Sequence, residues 1–132
     1  MDLEILNIAS DTDNNRNLKN HTHFSKLKNS ICGDEIQIKL IIKEDKIVDF
    51  GYQGHSCVYC QASASLLSKI CINNKKSKIN ELCNDAKSYF NGNLENIDKK
   101  WIFLKKLFKK KNLSKKNCIL LPFKTLQKIV SD

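Results

Sequence analysis

The amino-acid sequence predicts an α+β fold, in which a small antiparallel sheet packs against C-terminal helices. Apolar and polar residues alternate over Glu35–Lys43, a polar corner follows, and Lys46–Gln53 resumes the apolar pattern, so a hairpin is expected over Glu35–Gln53. From Cys60 the apolar spacing changes to about 3.6 residues, the helical period. Strands therefore precede helices, and a length of 132 residues suits one compact domain.

The first 30 residues are expected to form a flexible N-terminal segment with one short helix. Leu3–Ala9 is apolar enough for that helix, whereas Ser10–Asn29 is polar and rich in asparagine. The sequence leaves open whether this segment also adds an N-terminal strand to the sheet. Residues 31–132 are expected to form a single folded domain, because no repeat or internal linker interrupts them.

Four helices are expected after the hairpin. Ser77 suits an N-cap, and Pro122 suits a first helical position because a proline lacks the N–H that would be unpaired there. In the third helix, which starts at Asn96 or Ile97, apolar residues recur at three- and four-residue spacing and lysines take the opposite side. The predicted helices are Cys60 to about Asn73, Ser77–Phe90, Ile97–Phe108 and a last one from Pro122 onward.

The charge is strongly basic and unevenly distributed. The chain has 22 lysines and one arginine, and a formal net charge of +9. Residues 1–68 hold 7 basic and 9 acidic side chains, whereas residues 69–132 hold 16 and 5. A basic nucleic-acid-binding protein is one alternative, but Arg16 alone offers the bidentate fork that phosphate and base recognition favours. Nucleic acid is therefore not the expected partner.

Six cysteines require an explanation. The N-terminus lacks a basic and apolar secretion signal, and no apolar run approaches the roughly 18 residues that span a bilayer. A cytoplasmic protein without membrane contact is expected, and in that compartment clustered thiols bind metal or do redox chemistry more often than they form structural disulfides.

The thiols fall into two groups by position. Cys32 precedes the first long strand, Cys57 lies where a strand turns into a helix, and Cys118 precedes the last predicted helix. Loops at such ends can bring distant side chains together, and a helix start favours the thiolate that binds metal. Cys71 and Cys83 lie in apolar helical stripes and are expected to be inert core thiols.

Cys57 and Cys60 also form a C-x-x-C motif that opens a helix, which is typical of a dithiol oxidoreductase. That alternative would require a proline beside the dithiol and a βαβ pattern. The only proline, Pro122, introduces an apolar helix instead. His55, two residues from Cys57, is a possible additional ligand.

Three motifs together resemble the IscU/NifU/SufU-type iron–sulfur cluster assembly scaffolds. They are a Cys-Gly-Asp sequence before the hairpin, a glycine-containing turn that ends in cysteine, and an Ala-Ser-Ala-Ser helix start. Here they are Cys32-Gly33-Asp34, Gly54-His55-Ser56-Cys57 and Ala62-Ser63-Ala64-Ser65. Asn15-Arg16-Asn17 and the segment from Cys118 to Leu126 are similar to further parts of the family pattern.

The resemblance implies a site made by Cys32, Asp34, Cys57 and Cys118, with Cys60 or His55 as possible extra ligands. Three thiolates and one carboxylate suit Zn²⁺ or a [2Fe–2S] cluster with one labile corner. It further implies a carrier rather than an enzyme, which receives persulfide sulfur from a cysteine desulfurase at Cys118 and serves apo iron–sulfur acceptor proteins.

Spacing places the chain nearest the SufU branch of the family. Cys118 follows Cys57 by 61 positions, similar to a branch that resembles a zinc-bound sulfur acceptor as much as a cluster scaffold. Asn117 replaces a histidine of the IscU branch, and Leu113–Asn117 lacks the motif that dedicated chaperones recognise, so chaperone-driven transfer is not expected. Cys60 is an added thiol that could act as a ligand, as a resolving thiol for Cys57, or as a tolerated substitution.

Overall fold

The structure is a computed structural model that describes residues 2–92 and 99–131. Within those ranges three strands and four α-helices are separated by turns and by two 3₁₀ segments, Lys99–Lys106 and Lys110–Lys115. None of the helices in these ranges is long and apolar enough to cross a membrane. The main elements are α1 (Leu3–Ala9), β1 (His23–Lys28), β2 (Glu35–Lys43), β3 (Lys46–His55), α2 (Val58–Cys71), α3 (Lys76–Phe90) and α4 (Lys116–Val130).

The sheet is antiparallel, in the order β1-β2-β3. Glu44 and Asp45 connect β2 to β3 with φ of 52° and 62°, as a two-residue primed turn requires. The predicted hairpin is confirmed, and its β3 extends to His55. The N-terminal strand that the sequence left open is β1, so part of the segment expected to be flexible pairs with β2.

The helices form a layer on one face of this sheet. α2 and α4 contact each other and the strands, while α1 packs on α2 and α3 packs on α4. Cys71 and Cys83 are fully buried among apolar side chains, which confirms that they are core thiols. The α+β prediction is therefore confirmed.

Two predicted helix starts were wrong. The N-cap residue of α3 is Lys75 rather than Ser77, and α4 begins at Lys116 rather than at Pro122. The apolar side chains of Ile119–Leu121 are buried against the other elements, and this packing outweighs the start signal of the proline. Pro122 instead lies inside the helix, where its missing N–H cannot pair with the carbonyl of Cys118.

The predicted third helix is a 3₁₀ segment with a break at Trp101, whose φ of −109° and ψ of 33° are not helical. Trp101, Leu104 and Leu107 are buried at every third residue, which fits three residues per turn. Ile102 and Phe103 are exposed. The expected start at Asn96 or Ile97 lies outside the described residues.

The uneven charge is partly compensated within the molecule. Lys109 Nζ lies 2.8 Å from Glu4 Oε1, and Lys111 Nζ lies 3.0 Å from Asp2 Oδ2. Lys69 pairs with Asp11. Lysines of the basic half thus pair with the acidic residues of the first helix and the turn after it.

Candidate metal centre

The turn before β2 positions Cys32 and Asp34. The Gly33 N–H donates to the Asn29 carbonyl at 2.7 Å, and the Asn29 N–H donates to the Asp34 carbonyl at 2.7 Å. Gly33 has a φ of +79°, which glycine adopts without strain. The turn leaves Cys32 exposed, whereas Asp34 is only 7% exposed.

The end of β3 brings Cys57 beside this turn. A Cβ at Gly54 would lie 2.1 Å from the Glu35 carbonyl oxygen, so only glycine allows the two strands to approach this closely. Cys57 is the N-cap of α2, and its N–H donates to Asp34 Oδ1 at 3.1 Å. Its side chain makes no capping hydrogen bond.

Cys118 reaches the same place from the first turn of α4, which corrects the expectation that it precedes this helix. The next residue, Ile119, accepts a hydrogen bond at its carbonyl from Ser63 Oγ on α2, at 2.6 Å. Both groups are buried. This bond fixes the start of α4 against the helix that begins at Cys57.

Three of the four expected ligands converge. One ligand atom from each of Cys32, Asp34 and Cys118 lies within 4.8 Å of the other two. The Cys32 and Cys118 sulfurs are 3.9 Å apart. Two thiolates bound tetrahedrally at about 2.3 Å from a zinc ion lie about 3.8 Å apart, so this spacing fits a shared metal.

The electrostatics of the group favour a cation. Burial raises the pKa of the Cys118 thiol, and the neighbouring thiols of Cys57 and Cys32 raise it further. Asp34 Oδ2 is buried and has no hydrogen-bond partner in the described part of the chain. A metal would satisfy that oxygen and offset the repulsion among the thiolates.

Cys57 stands slightly apart from that set. It is not among the three residues whose ligand atoms are all mutually close, yet its thiol interacts with that of Cys118. Cys57 is half-buried. Three of the four predicted residues thus converge, and the fourth, Cys57, is joined to them through its backbone N–H, which donates to Asp34 Oδ1.

The two possible extra ligands differ in position. His55 is exposed at the end of β3, in a polar surface depression with Asn15 and Gln53, and is not part of the converging set. Cys60 is fully buried on the first turn of α2. Burial raises the pKa of its thiol to about 12, and the negative charges of Asp34 and Cys57 raise that pKa as well.

Other motif residues support the site from a distance. Arg16 pairs with Asp49 at 2.5 Å, so the only arginine holds the N-terminal segment on β3. The carbonyl of Asn14 accepts from the Tyr52 N–H at 3.0 Å. Ser63 was noted in the sequence only as part of a motif, although a serine on an otherwise apolar helix face indicates a buried hydrogen bond.

Comparisons of sequence identify relatives. The profile described as the NifU-like N-terminal domain matches residues 4–92, a range that ends before Cys118. An uncharacterized protein of Borreliella burgdorferi is 32% identical over 114 residues, which cover 86% of this chain and 79% of that protein. The iron–sulfur cluster assembly scaffold protein IscU of Thermotoga maritima is 33% identical over 94 residues, which cover 71% of this chain and 65% of that relative, just under two thirds of its length.

Solved structures extend the likeness to the whole chain. A candidate iron–sulfur cluster assembly scaffold protein for the SUF system of Fervidobacterium islandicum superposes with a TM-score of 0.88 at 25% identity, over 98% of this chain and 96% of that one. A NifU-like protein (N-terminal) of Brucella abortus has a TM-score of 0.87 at 15% identity, over 98% and 91%, and shows the shared fold. The chain therefore belongs to the NifU-like N-terminal domain family of iron–sulfur cluster assembly scaffolds, which bind clusters as carriers and are not enzymes.

Proposed function

We propose that this protein holds Zn²⁺ or a [2Fe–2S] cluster through Cys32, Asp34, Cys57 and Cys118. The observation that supports this most directly is the Asp34 carboxylate: one of its oxygens lies within 4.8 Å of the Cys32 and Cys118 sulfurs, and its buried Oδ2 lacks a hydrogen-bond partner among the described residues. Thiolates suit both zinc and iron–sulfur clusters, and a carboxylate in place of a fourth thiolate gives one weaker corner.

The same site receives sulfur. A cysteine desulfurase delivers persulfide sulfur to Cys118, and the protein then passes sulfur or an assembled cluster to apo acceptor proteins. Cys118 suits this role because it is in contact with Cys32 and Cys57, so sulfur placed on it is already beside the other donors. Its burial keeps water away from the persulfide.

Metal analysis of the purified protein tests the ligand set. We expect about one zinc per chain, or a [2Fe–2S] absorption spectrum after anaerobic reconstitution, and the loss of both in Cys32→Ala and Cys118→Ala. Cys83→Ala is the matched control, because Cys83 is a buried thiol on α3, outside the converging set. Wild-type protein that takes up neither zinc nor cluster would contradict the proposal.

Asp34 is tested by a pair of substitutions. Asp34→Ala removes both the ligand and the acceptor of the Cys57 N–H, whereas Asp34→Asn keeps an acceptor and loses the charge. If the carboxylate is the labile corner, both variants hold a reconstituted cluster longer and transfer it to an apo-ferredoxin more slowly. Faster transfer in both would contradict this role.

Sulfur acceptance is tested with a cysteine desulfurase of the SUF type and cysteine. We expect the zinc-loaded protein to raise desulfurase turnover without iron, and Cys118→Ala to abolish the increase. Stimulation that requires iron would instead favour cluster assembly as the main role. No stimulation in either condition would contradict the proposed partner.

A further inference from the structure

We propose that Cys60 is a resolving thiol that attacks a persulfide on Cys57, forming a Cys57–Cys60 disulfide and releasing the outer sulfur as sulfide. The juxtaposition that supports it is a free N-cap thiol three residues before a second thiol in the same helical turn. This inference rests on the proposed function, because it uses sulfur that arrives as a persulfide. It gives the added cysteine a role that the four ligands do not require.

The backbone places the two residues within disulfide reach. An N-cap side chain lies over the N–H groups of the second and third helical residues, and Cys60 is the third residue of α2. Residues three apart on a helix have Cβ atoms about 5–6 Å apart, whereas a disulfide needs about 3.5–4.5 Å. A small backbone rotation at the N-cap Cys57, whose φ and ψ are extended rather than helical, would close that difference. The Cys57 thiol makes no capping bond that such a rotation would break.

Sulfur can reach Cys57 from Cys118. Both residues adjoin the same carboxylate: the Cys57 N–H donates to Asp34 Oδ1 at 3.1 Å, and the Cys118 sulfur lies within 4.8 Å of an Asp34 carboxylate oxygen. Cys57 also acts electrostatically on Cys60. Cys57 therefore adjoins both other cysteines, because it shares the Asp34 carboxylate with Cys118 and lies in the same helical turn as Cys60.

The chemistry balances without an added oxidant. In the first step the Cys57 thiolate attacks the outer sulfur of the Cys118 persulfide, so the sulfane sulfur moves to Cys57 and Cys118 leaves as a thiolate. In the second step the Cys60 thiolate attacks the inner sulfur of the Cys57 persulfide. A Cys57–Cys60 bond forms, the persulfide S–S bond breaks, and hydrosulfide leaves with the electron pair of that bond. The hydrosulfide takes up the proton that Cys60 lost when its thiolate formed. The sulfane sulfur is reduced by two electrons and the two cysteine sulfurs are oxidised; an external dithiol restores them.

The high pKa of Cys60 slows this step but does not prevent it. Burial keeps the thiolate fraction of Cys60 low at neutral pH. Holding the thiol beside the persulfide makes the step intramolecular, and a high-pKa thiolate is the stronger nucleophile. Burial also keeps competing solvent thiols from Cys60.

The role of Cys60 can be tested without a desulfurase. Metal-free, reduced protein is loaded with persulfide by brief anaerobic treatment with sodium polysulfide, desalted, and followed for sulfide release and by peptide mass mapping. We expect the wild type to release sulfide and to acquire a Cys57–Cys60 disulfide. Cys60→Ala should retain its persulfide, with release slowed by at least about tenfold, whereas Cys83→Ala should behave as the wild type.

Either of two outcomes would overturn the proposal. One is sulfide release from Cys60→Ala at the wild-type rate, and the other is a wild-type disulfide that maps to a pair other than Cys57 and Cys60. Cys60→Val serves as a second variant if Cys60→Ala folds poorly, and circular dichroism checks both. A desulfurase that fails to load the protein would contradict the proposed function alone, because polysulfide loading does not depend on it.

Discussion

Gly54 is the position where one added methyl group should do most damage to both the fold and the site. An alanine Cβ would lie 2.1 Å from the Glu35 carbonyl oxygen and 2.9 Å from the Ile36 Cα. The ends of β2 and β3 must therefore separate by about 1 Å, which disrupts about two ladder hydrogen bonds worth about 1 kcal/mol each. The strain of an alanine at the positive φ of 158° adds about 1 kcal/mol to this loss. Gly54→Ala should therefore lower the free energy of unfolding by about 3 kcal/mol.

Gly92→Ala is the matched control. Gly92 also has a positive φ, of 81°, but a Cβ there would meet no atom of the described residues within 4 Å. Gly92→Ala should lower the free energy of unfolding only by the conformational strain of about 1 kcal/mol. Urea denaturation of the reduced, metal-free proteins measures both, against a total stability of about 5–15 kcal/mol for a domain of this kind. Zinc affinity should fall in Gly54→Ala only, because Glu35 adjoins Asp34; equal destabilisation of the two variants would refute this reasoning.

Three further predictions concern single contacts. Ser63→Ala should lower the free energy of unfolding by about 1–3 kcal/mol, because the Ile119 carbonyl loses its buried donor, and urea denaturation with an unchanged m-value would show it. Burial raises the pKa of the Cys71 thiol above its ordinary value of 9.0, so the stability of the metal-free protein should fall as pH rises beyond that value. In thermal melts from pH 8 to 11, Cys71→Ala should show a smaller loss of stability than the wild type. The hydrogen bond from Lys109 lowers the pKa of Glu4, so the stabilisation by ionised Glu4 is present above the ordinary pKa of 4.5 and is lost as pH falls below that value. Glu4→Gln should remove this part of the dependence of stability on acid pH. Melts at acid pH that are the same for Glu4→Gln and the wild type would contradict the prediction.

Local patterns were sufficient for the hairpin, α2 and most of α3. Alternating burial in β2 follows the alternating sequence, because one face of the strand meets the helices and the other does not. The polar Glu44-Asp45 corner marks the turn correctly. In these elements the local preference and the tertiary packing agree, which is why the sequence alone predicts them.

The errors arise where packing overrides a local signal. Cys118–Leu121 is a continuous apolar run without helical periodicity, so the sequence offers only Pro122 as a start signal for α4. The three- and four-residue spacing of Ile97, Trp101, Leu104, Leu107 and Phe108 predicts an α-helix, whereas the described backbone forms a 3₁₀ segment with a break at Trp101.

The site was predictable in composition but not in geometry. Cys32, Cys57 and Cys118 could be singled out because they lie at the ends of predicted elements, and the family resemblance added Asp34. Nothing local shows that two sulfurs separated by 86 positions lie 3.9 Å apart. The sequence likewise identified Cys60 as an open question, and only the fold shows that its thiol is buried beside the other donors.

The donors of the site differ in how much of the molecule must move to detach each one. Cys118 belongs to a 15-residue helix whose first turn is bonded to α2, and Cys57 caps a helix of 14 residues. Cys32 lies on the exposed turn between β1 and β2, held by two backbone hydrogen bonds. If the site holds cargo as we propose, an incoming acceptor thiol should meet the least resistance at Cys32, so the proposal predicts that the turn opens first and that the two helix starts release their donors last.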